Sequence, residues 1–386
     1  MRVCLCSPRF FKSGAEGVSK TLSCIYKGLL KNGIEAEIIA PISSPQEANR
    51  GFSSLVKSLE FVRFSRDMLK GADIIHYFSP NPALAAPLKM ISKSKKTTVI
   101  CHVWNSYLEW RELRSMLRTS SLTRGLLREY VPHVLLNTKP TALVSLAGIK
   151  ILTVSSKYTE HQINALRLNS KIHCIPNGVD VTDFTPVDAT GKIEAKKSLG
   201  IPPDAEVILY YGHVNHMRGL IYLVEAMCEV IKHRPKIRLV VAESGLGTFH
   251  FRSLTDTFHI SKRTTFLGVV DVKKLLAATD VGVLPFLSPL ASVIFPSSLF
   301  EMMAAGVPVV GTKVGGFPEV IEHGKTGILV EPANSKQLSS ALIQLLRDES
   351  FRARIGRQAR IHVMERFDWK KIIKQLVTLY EKSLNT

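Results

Sequence analysis

A chain of 386 residues, 45% of them hydrophobic and 22% charged, is long enough for two domains that each bury a core. That hydrophobic content excludes a disordered chain, and six cysteines are too few for a disulfide-stapled scaffold. Lysine and arginine outnumber aspartate and glutamate 51 to 32; the resulting formal charge of +19 admits nucleic acid, an anionic membrane or an anionic small substrate as partner.

The first apolar run, residues 3–6, closes on Ser7-Pro8 and is too short for a signal peptide, so it reads as a buried strand. Cys4 and Cys6 would point the same way on that strand and read as small buried hydrophobes, not as a metal or disulfide pair. A helix is expected from about residue 18 to about residue 30. Further strands are predicted at 35–40, 74–77, 97–102, 151–155 and 172–175, then at 207–212, 237–242, 264–267, 281–284, 307–311 and 327–330. Apolar runs separated by helix-length segments imply parallel strands with crossover helices. The expectation is an α/β protein with two doubly wound, Rossmann-like domains facing each other across a cleft. Turn-rich, polar residues 176–180 and 186–200 read as the linker. The boundaries follow as 1–178, 179–366 and a C-terminal helix within 367–386, which begins at Asp368 and packs back toward the first domain. Residues 281–300 carry no charge over a membrane-spanning length of 20, but Pro285, Pro289 and Pro296 would kink such a helix repeatedly, which rejects a span. A cytoplasmic, reduced protein is expected.

Three segments carry candidate chemistry. Ser13-Gly14-Ala-Glu-Gly17 follows the first strand and leads into a helix, where glycines and free amides suit an anion; an ordinary tight turn is the alternative. Tyr211-Gly212-His213-Val-Asn-His216-Met-Arg218-Gly219 closes the first strand of the second half, either as a phosphate grip or as a surface loop with incidental charges. Neither histidine has a metal partner at ligand spacing. The run from Phe295 to Pro308 places Ser297 or Ser298 as N-cap of a helix ending at Gly306. Glu301 on its first turn is then a capping-box glutamate or an acceptor for a vicinal diol.

These elements, in this order, resemble the GT-B glycosyltransferases, specifically the family-4 group of retaining enzymes (glycosyl transferases group 1). Ile175-Pro-Asn-Gly-Val-Asp180, Thr265-Phe-Leu-Gly268-Val269-Val270, Leu275 to Asp280, Val314 to Gly327 and Phe367-Asp-Trp369 also match that group's pattern. The resemblance implies transfer of a sugar from a UDP- or GDP-sugar to an acceptor hydroxyl, with no cofactor. It sets Gly14, Gly212, His213, Arg218, Ser297, Ser298 and Leu299 at the donor diphosphate, Gly268, Val269, Val270 and Glu301 at the nucleoside, and His102 beside the reacting sugar carbon. Departures are Val293, where a second glutamate is frequent; His213 and Arg218 in place of an arginine and a lysine; and Glu243-Ser244 in place of a Gly-Asp pair. No Asp-x-Asp triplet occurs, so Arg218, His213 and the helix start would offset the leaving group's charge without a metal.

The charge is unevenly placed. Residues 1–180 contain 25 basic against 12 acidic side chains, and residues 181–386 contain 26 against 20. Arg111, Arg114, Arg118, Arg124 and Arg128 recur at helical spacing beside Trp110, Leu113, Leu117, Leu126 and Leu127. That pattern fits a helix lying on an anionic membrane, or one that packs its apolar face on the core with the arginines solvated. Related enzymes act on lipid carriers, which favours a peripheral position on the inner membrane face and a glycan or lipid-linked acceptor. Nucleic-acid binding fits poorly, since no recognised binding module occurs. The alternatives are a sugar-nucleotide epimerase and a catalytically silent binding protein of the same fold.

Overall fold

The computed structural model describes residues 1–7, 17–40, 69, 71–79, 97–104, 138–243, 248–291 and 295–385. The chain divides into two units, one of Met1–Gly178 with Trp369–Thr386, the other of Val179–Ser292 and Pro296–Asp368. Strands β1 (Arg2–Cys6), β2 (Glu35–Ile39), β3 (Ile74–Ser79), β4 (Thr98–Val103), β5 (Ile151–Val154) and β6 (Lys171–Cys174) belong to the first. The second holds β7 (Glu206–Tyr211), β8 (Ile237–Ala242), β9 (Thr264–Leu267), β10 (Val281–Leu284), β11 (Val309–Thr312) and β12 (Ile328–Val330). Helices include α1 (Gly17–Lys31), α2 (Ala189–Ser198), α3 (Leu220–His233), α4 (Ser297–Ala304), α5 (Ser335–Arg347), α6 (Glu349–Arg366) and α7 (Trp369–Leu384).

The first sheet runs β2-β1-β3-β4-β5-β6 and the second β12-β11-β10-β7-β8-β9, with every strand pairing parallel. The doubly wound α/β class read from the sequence is therefore what the chain adopts. Both faces of the first sheet are covered, and the period-2 alternation of a strand sorts its side chains between them. Cys4, Cys6, Ile75, Tyr77, Cys101 and Leu152 pack on one face with Ala142, Leu146 and Ile163. Val3, Leu5, Ile74, Phe78 and Ile100 pack on the other with Leu22, Ile25 and Leu29 of α1 and Ile372, Ile373 and Leu376 of α7. Cys4 and Cys6 do share a face, fully buried as free thiols. Where α7 crosses α1, a Cβ on Gly28 would sit 2.5 Å from Ile373 Cγ1, so only glycine lets the helices approach this closely.

Two local expectations are corrected. Residues 186–200 are not a plain linker, because α2 lies inside them, capped by the Asp188 carboxylate accepting from Gly191 N at 2.8 Å. Its buried face is Ala195 and Lys196, which leaves no apolar period to read. Lys196 Nζ donates to Ala205 O at 2.6 Å and pairs with Asp280 at 3.4 Å. The second correction is the start of α4. Neither Ser297 nor Ser298 is the N-cap; Pro296 holds that position, with no side-chain cap bond, and both serines are already helical. Gly306 does follow the helix end, at φ +72°.

Candidate functional site

In the second unit, β7 delivers Tyr210 and Tyr211 to its carboxyl end and Gly212 turns the chain. Asn215 then caps a single 3-10 turn over His216–Arg218 by accepting from Arg218 N at 3.1 Å. Gly219 ends the turn in the left-handed region at φ +68°, 2.0 Å from Pro285 O at its would-be Cβ, so no other residue fits there. Arg218 is buried, with its guanidinium 4.4 Å above the Phe286 ring. Gly212 lies against it, its Cβ position 3.7 Å from Arg218 Nη1. Tyr210 donates to the His213 carbonyl and hydrogen-bonds Arg218; burial pushes its phenol up to about 12, with Arg218 acting in the opposite direction. The sequence's Gly212, His213 and Arg218 are thus one constellation at one strand end.

The adjacent strand β10 leads to α4. As at every helix start, the Ser297 and Ser298 amides have no intrahelical acceptor. The Leu299 amide already donates to Pro296 O at 2.9 Å. Glu301, one turn in, is 2% exposed and accepts a 2.7 Å hydrogen bond at Oε2 from the Tyr211 hydroxyl. Burial, followed by the Glu301 charge, pushes the Tyr211 phenol well above its usual range, so it stays a donor. The capping-box alternative for Glu301 falls with the N-cap. At the neighbouring strand ends, Gly268 has open space at its Cβ, and Val269 is 91% exposed. Glu243, just past β8, is buried with both carboxylate oxygens lacking partners among the described residues; burial raises its pKa, opposed by Arg252.

In the first unit, His102 is the penultimate residue of β4 and 4% exposed. Its Nδ1 lies 2.9 Å from Thr153 Oγ1 and its Nε2 3.0 Å from Ser155 Oγ. The ring stacks on Phe78 at 5.3 Å and meets Trp104 edge-on at 5.6 Å. Burial lowers its pKa to about 3, so the imidazole is neutral in ordinary buffers. His76 sits behind it, 3.1 Å from Thr153 Oγ1 by Nε2 and 2.7 Å from Tyr380 Oη by Nδ1; burial, then His102, lowers its pKa well below the usual value. Tyr210, His76, Thr153, Ser155 and Tyr380 carry no motif in the sequence, and Tyr211 enters it only as the first residue of the Gly212 run. Gly14, Val293 and the arginines at 111, 114, 118, 124 and 128 lie outside the described residues. Among the described residues no group of three His, Cys, Asp or Glu side chains is placed to hold a metal ion, and no helix is long and apolar enough to cross a membrane.

The profile described as glycosyl transferases group 1 matches residues 191–362, and that described as glycosyltransferase family 4 matches residues 15–183. The N-acetyl-alpha-D-glucosaminyl L-malate synthase of Bacillus anthracis is 32% identical over 231 residues, covering 60% of this chain and 58% of that protein. Across the first curated relatives, the matched region spans 55–60% of their length. Sucrose-phosphate synthase from Thermosynechococcus elongatus has a similar fold, with a TM-score of 0.77 and 20% identity over 99% of this chain and 98% of that one. So does HepE from Anabaena in complex with UDP-glucose, at a TM-score of 0.73 and 17% identity over 99% and 100% of the two chains.

Proposed function

Since this chain belongs to the group 1, family 4 glycosyltransferases, we propose that it moves a sugar from a nucleotide-diphosphate donor to an acceptor hydroxyl with retention of configuration. One observation carries the reading: the buried Arg218 and the open amides at the start of α4 gather at the carboxyl ends of β7 and β10, with Glu301 one turn further in. A diphosphate needs cationic and N–H donors together, and a ribose diol needs a carboxylate acceptor beside them.

In this scheme Arg218 and His213 grip the diphosphate, with Gly212 permitting close approach. The Ser297 and Ser298 amides complete that grip, and Leu299 contributes packing because its amide is engaged. Glu301 takes the ribose hydroxyls, and residues 268–270 border the base. For Gly14 and His102 a role at the donor rests on the family resemblance. Fixed positive charge and a helix start stabilise the departing nucleotide, so a chelator leaves the rate unchanged. The precedent for a UDP-sugar donor is the HepE complex with UDP-glucose.

The acceptor is a glycan or lipid-linked hydroxyl presented at an anionic membrane surface, a reading supported by the basic excess of residues 1–180 and the arginines from 111 to 128. The experiment is a panel of UDP- and GDP-sugars, with nucleotide release and product mass read together. Release with a glycosylated product of retained anomeric configuration supports the proposal; absence of turnover on every donor overturns it. A catalytically silent binding protein is the second reading, because both His102 ring nitrogens are engaged inside the protein. Nucleotide binding without turnover is its signature.

A further inference from the structure

At the carboxyl edge of the second sheet three residues share one rung: Gly212 after β7, Glu243 after β8 and Gly268 after β9. Register sets them there. Tyr211 pairs with Ala242 and Ala242 with Leu267, and each of the three is the next residue along its strand. The ladder runs on through them, Gly212 N donating to Ala242 O at 3.1 Å and Glu243 N to Leu267 O at 3.3 Å. Neighbouring strands lie about 4.8 Å apart, so Glu243 stands between two close neighbours that have no side chains. On the Gly268 flank a Cβ would meet nothing within 4 Å, and on the Gly212 flank it would face Arg218 Nη1 at 3.7 Å.

The carboxylate is committed to nothing around it. Glu243 is 9% exposed, and neither of its oxygens has a hydrogen-bond partner among the described residues. Tyr210, two residues before Gly212, gives its hydroxyl to the His213 carbonyl. Arg252 offsets the charge, but its guanidinium is laid over the Phe266 ring at 4.2 Å. A buried carboxylate without donors is costly, and its two oxygens call for two N–H or O–H groups side by side. Nucleobases differ in what they offer. Guanine presents N1–H and the N2 amine next to each other, two donors for two oxygens. Uracil presents one N3–H between two carbonyl oxygens, which a carboxylate repels. Adenine and cytosine set a ring-nitrogen acceptor beside their amine. In the proposed scheme Glu301 takes the ribose and residues 268–270 border the base. Sheet order is β10-β7-β8-β9, so a nucleoside stretched from Glu301 to Gly268 would pass over Glu243.

We propose that Glu243 is a specificity-determining residue whose two carboxylate oxygens accept N1–H and N2–H of guanine, so that the donor is a GDP-sugar. This assignment rests on the transferase reading and names its donor base.

Calorimetric titration of the full chain with GDP, inosine diphosphate and UDP tests it. Inosine diphosphate is GDP without the N2 amine, so it removes one of the two donors from the ligand side. GDP should bind roughly 10- to 100-fold more tightly than UDP and about tenfold more tightly than inosine diphosphate. Glu243→Gln keeps the size of the side chain but turns an amide donor toward the base. It should weaken GDP by roughly 10- to 100-fold, close the gap between GDP and inosine diphosphate, and leave UDP little changed. Near-UV circular dichroism reports that the variant is folded. UDP binding as tightly as GDP overturns the assignment and leaves the transferase reading in place. So does a Glu243→Gln protein that prefers GDP over inosine diphosphate as strongly as the wild type. Binding of none of the three nucleotides fails the transferase reading, and the assignment with it.

Discussion

Tyr211 and Glu301, 90 residues apart, meet inside the second unit with the phenol donating to Oε2 at 2.7 Å. Glu301 is 2% exposed, so this bond replaces water that the carboxylate has given up. Tyr211→Phe removes the donor and leaves the acceptor buried. The expected cost is about 1–3 kcal/mol of stability, read by urea denaturation. If Glu301 also holds ribose hydroxyls, nucleotide affinity falls in the same variant, because the carboxylate loses its fixed orientation. Unchanged stability would mean that the pair is not formed in solution.

In the proposed scheme Arg218 grips the diphosphate, its guanidinium held over Phe286 and hydrogen-bonded to Tyr210. Arg218→Ala should weaken donor binding by roughly 10- to 100-fold, the scale of a lost charge-assisted contact. Arg218→Lys keeps the charge but loses the planar stacking, and recovers only part of the affinity. Calorimetric titration with nucleoside diphosphate gives both values; wild-type affinity in Arg218→Ala removes the diphosphate assignment.

The fold was largely legible because its signal is local. Ile237–Ala242, Thr264–Leu267 and Val281–Leu284 are short apolar runs between turn or polar residues, and each strand begins and ends where that pattern does. Gly212, His213 and Arg218 were legible for the same reason, being a glycine and two basic residues directly after a strand. The α2 helix was hidden because its buried face is an alanine and a lysine. The α4 cap departs from the serine that the sequence leads one to expect because Pro296 takes the N-cap position. What no local pattern could show is the pairing of Tyr211 with Glu301, or of His76 with Tyr380 across 304 residues. Those contacts are made by sheet order and helix return, and a lone tyrosine on α7 looks like any other core residue.

Gly356 lies in the interior of α6, where alanine would ordinarily stabilise a helix by ~1 kcal/mol. Here the sign reverses. A Cβ on Gly356 would stand 2.1 Å from the Gly306 carbonyl oxygen, a backbone atom that cannot swing aside like a side chain. Gly356→Ala should therefore destabilise the protein by roughly 1–3 kcal/mol through forced separation of α6 from the end of α4. A rise in denaturation midpoint would show that the two elements are looser than this contact requires.

Acid should weaken the first unit through its buried histidines. His102 and His76 have folded pKa values below the ordinary 6.5, His102 at about 3, because burial disfavours the imidazolium. The unfolded chain takes up those protons near its ordinary pKa and the folded chain does not. Stability from this source is thus fully present above about pH 6.5 and falls as pH drops toward the folded values, by about 1.4 kcal/mol per pH unit for each histidine. Asp280, held below its usual range by Lys192 and Lys196 against its own burial, loses its contribution only at lower pH, beneath the ordinary carboxylate range. In the interval from pH 6.5 to about 5, His173 and His362, also lowered by burial, act in the same sense, and Glu243, raised by burial, acts in the opposite one. Urea denaturation across that interval should show a steady loss, and His76→Gln, which removes one titrating ring, should reduce the slope. A flat profile there would mean that His76 and His102 are open to protonation in the folded state, contrary to their burial.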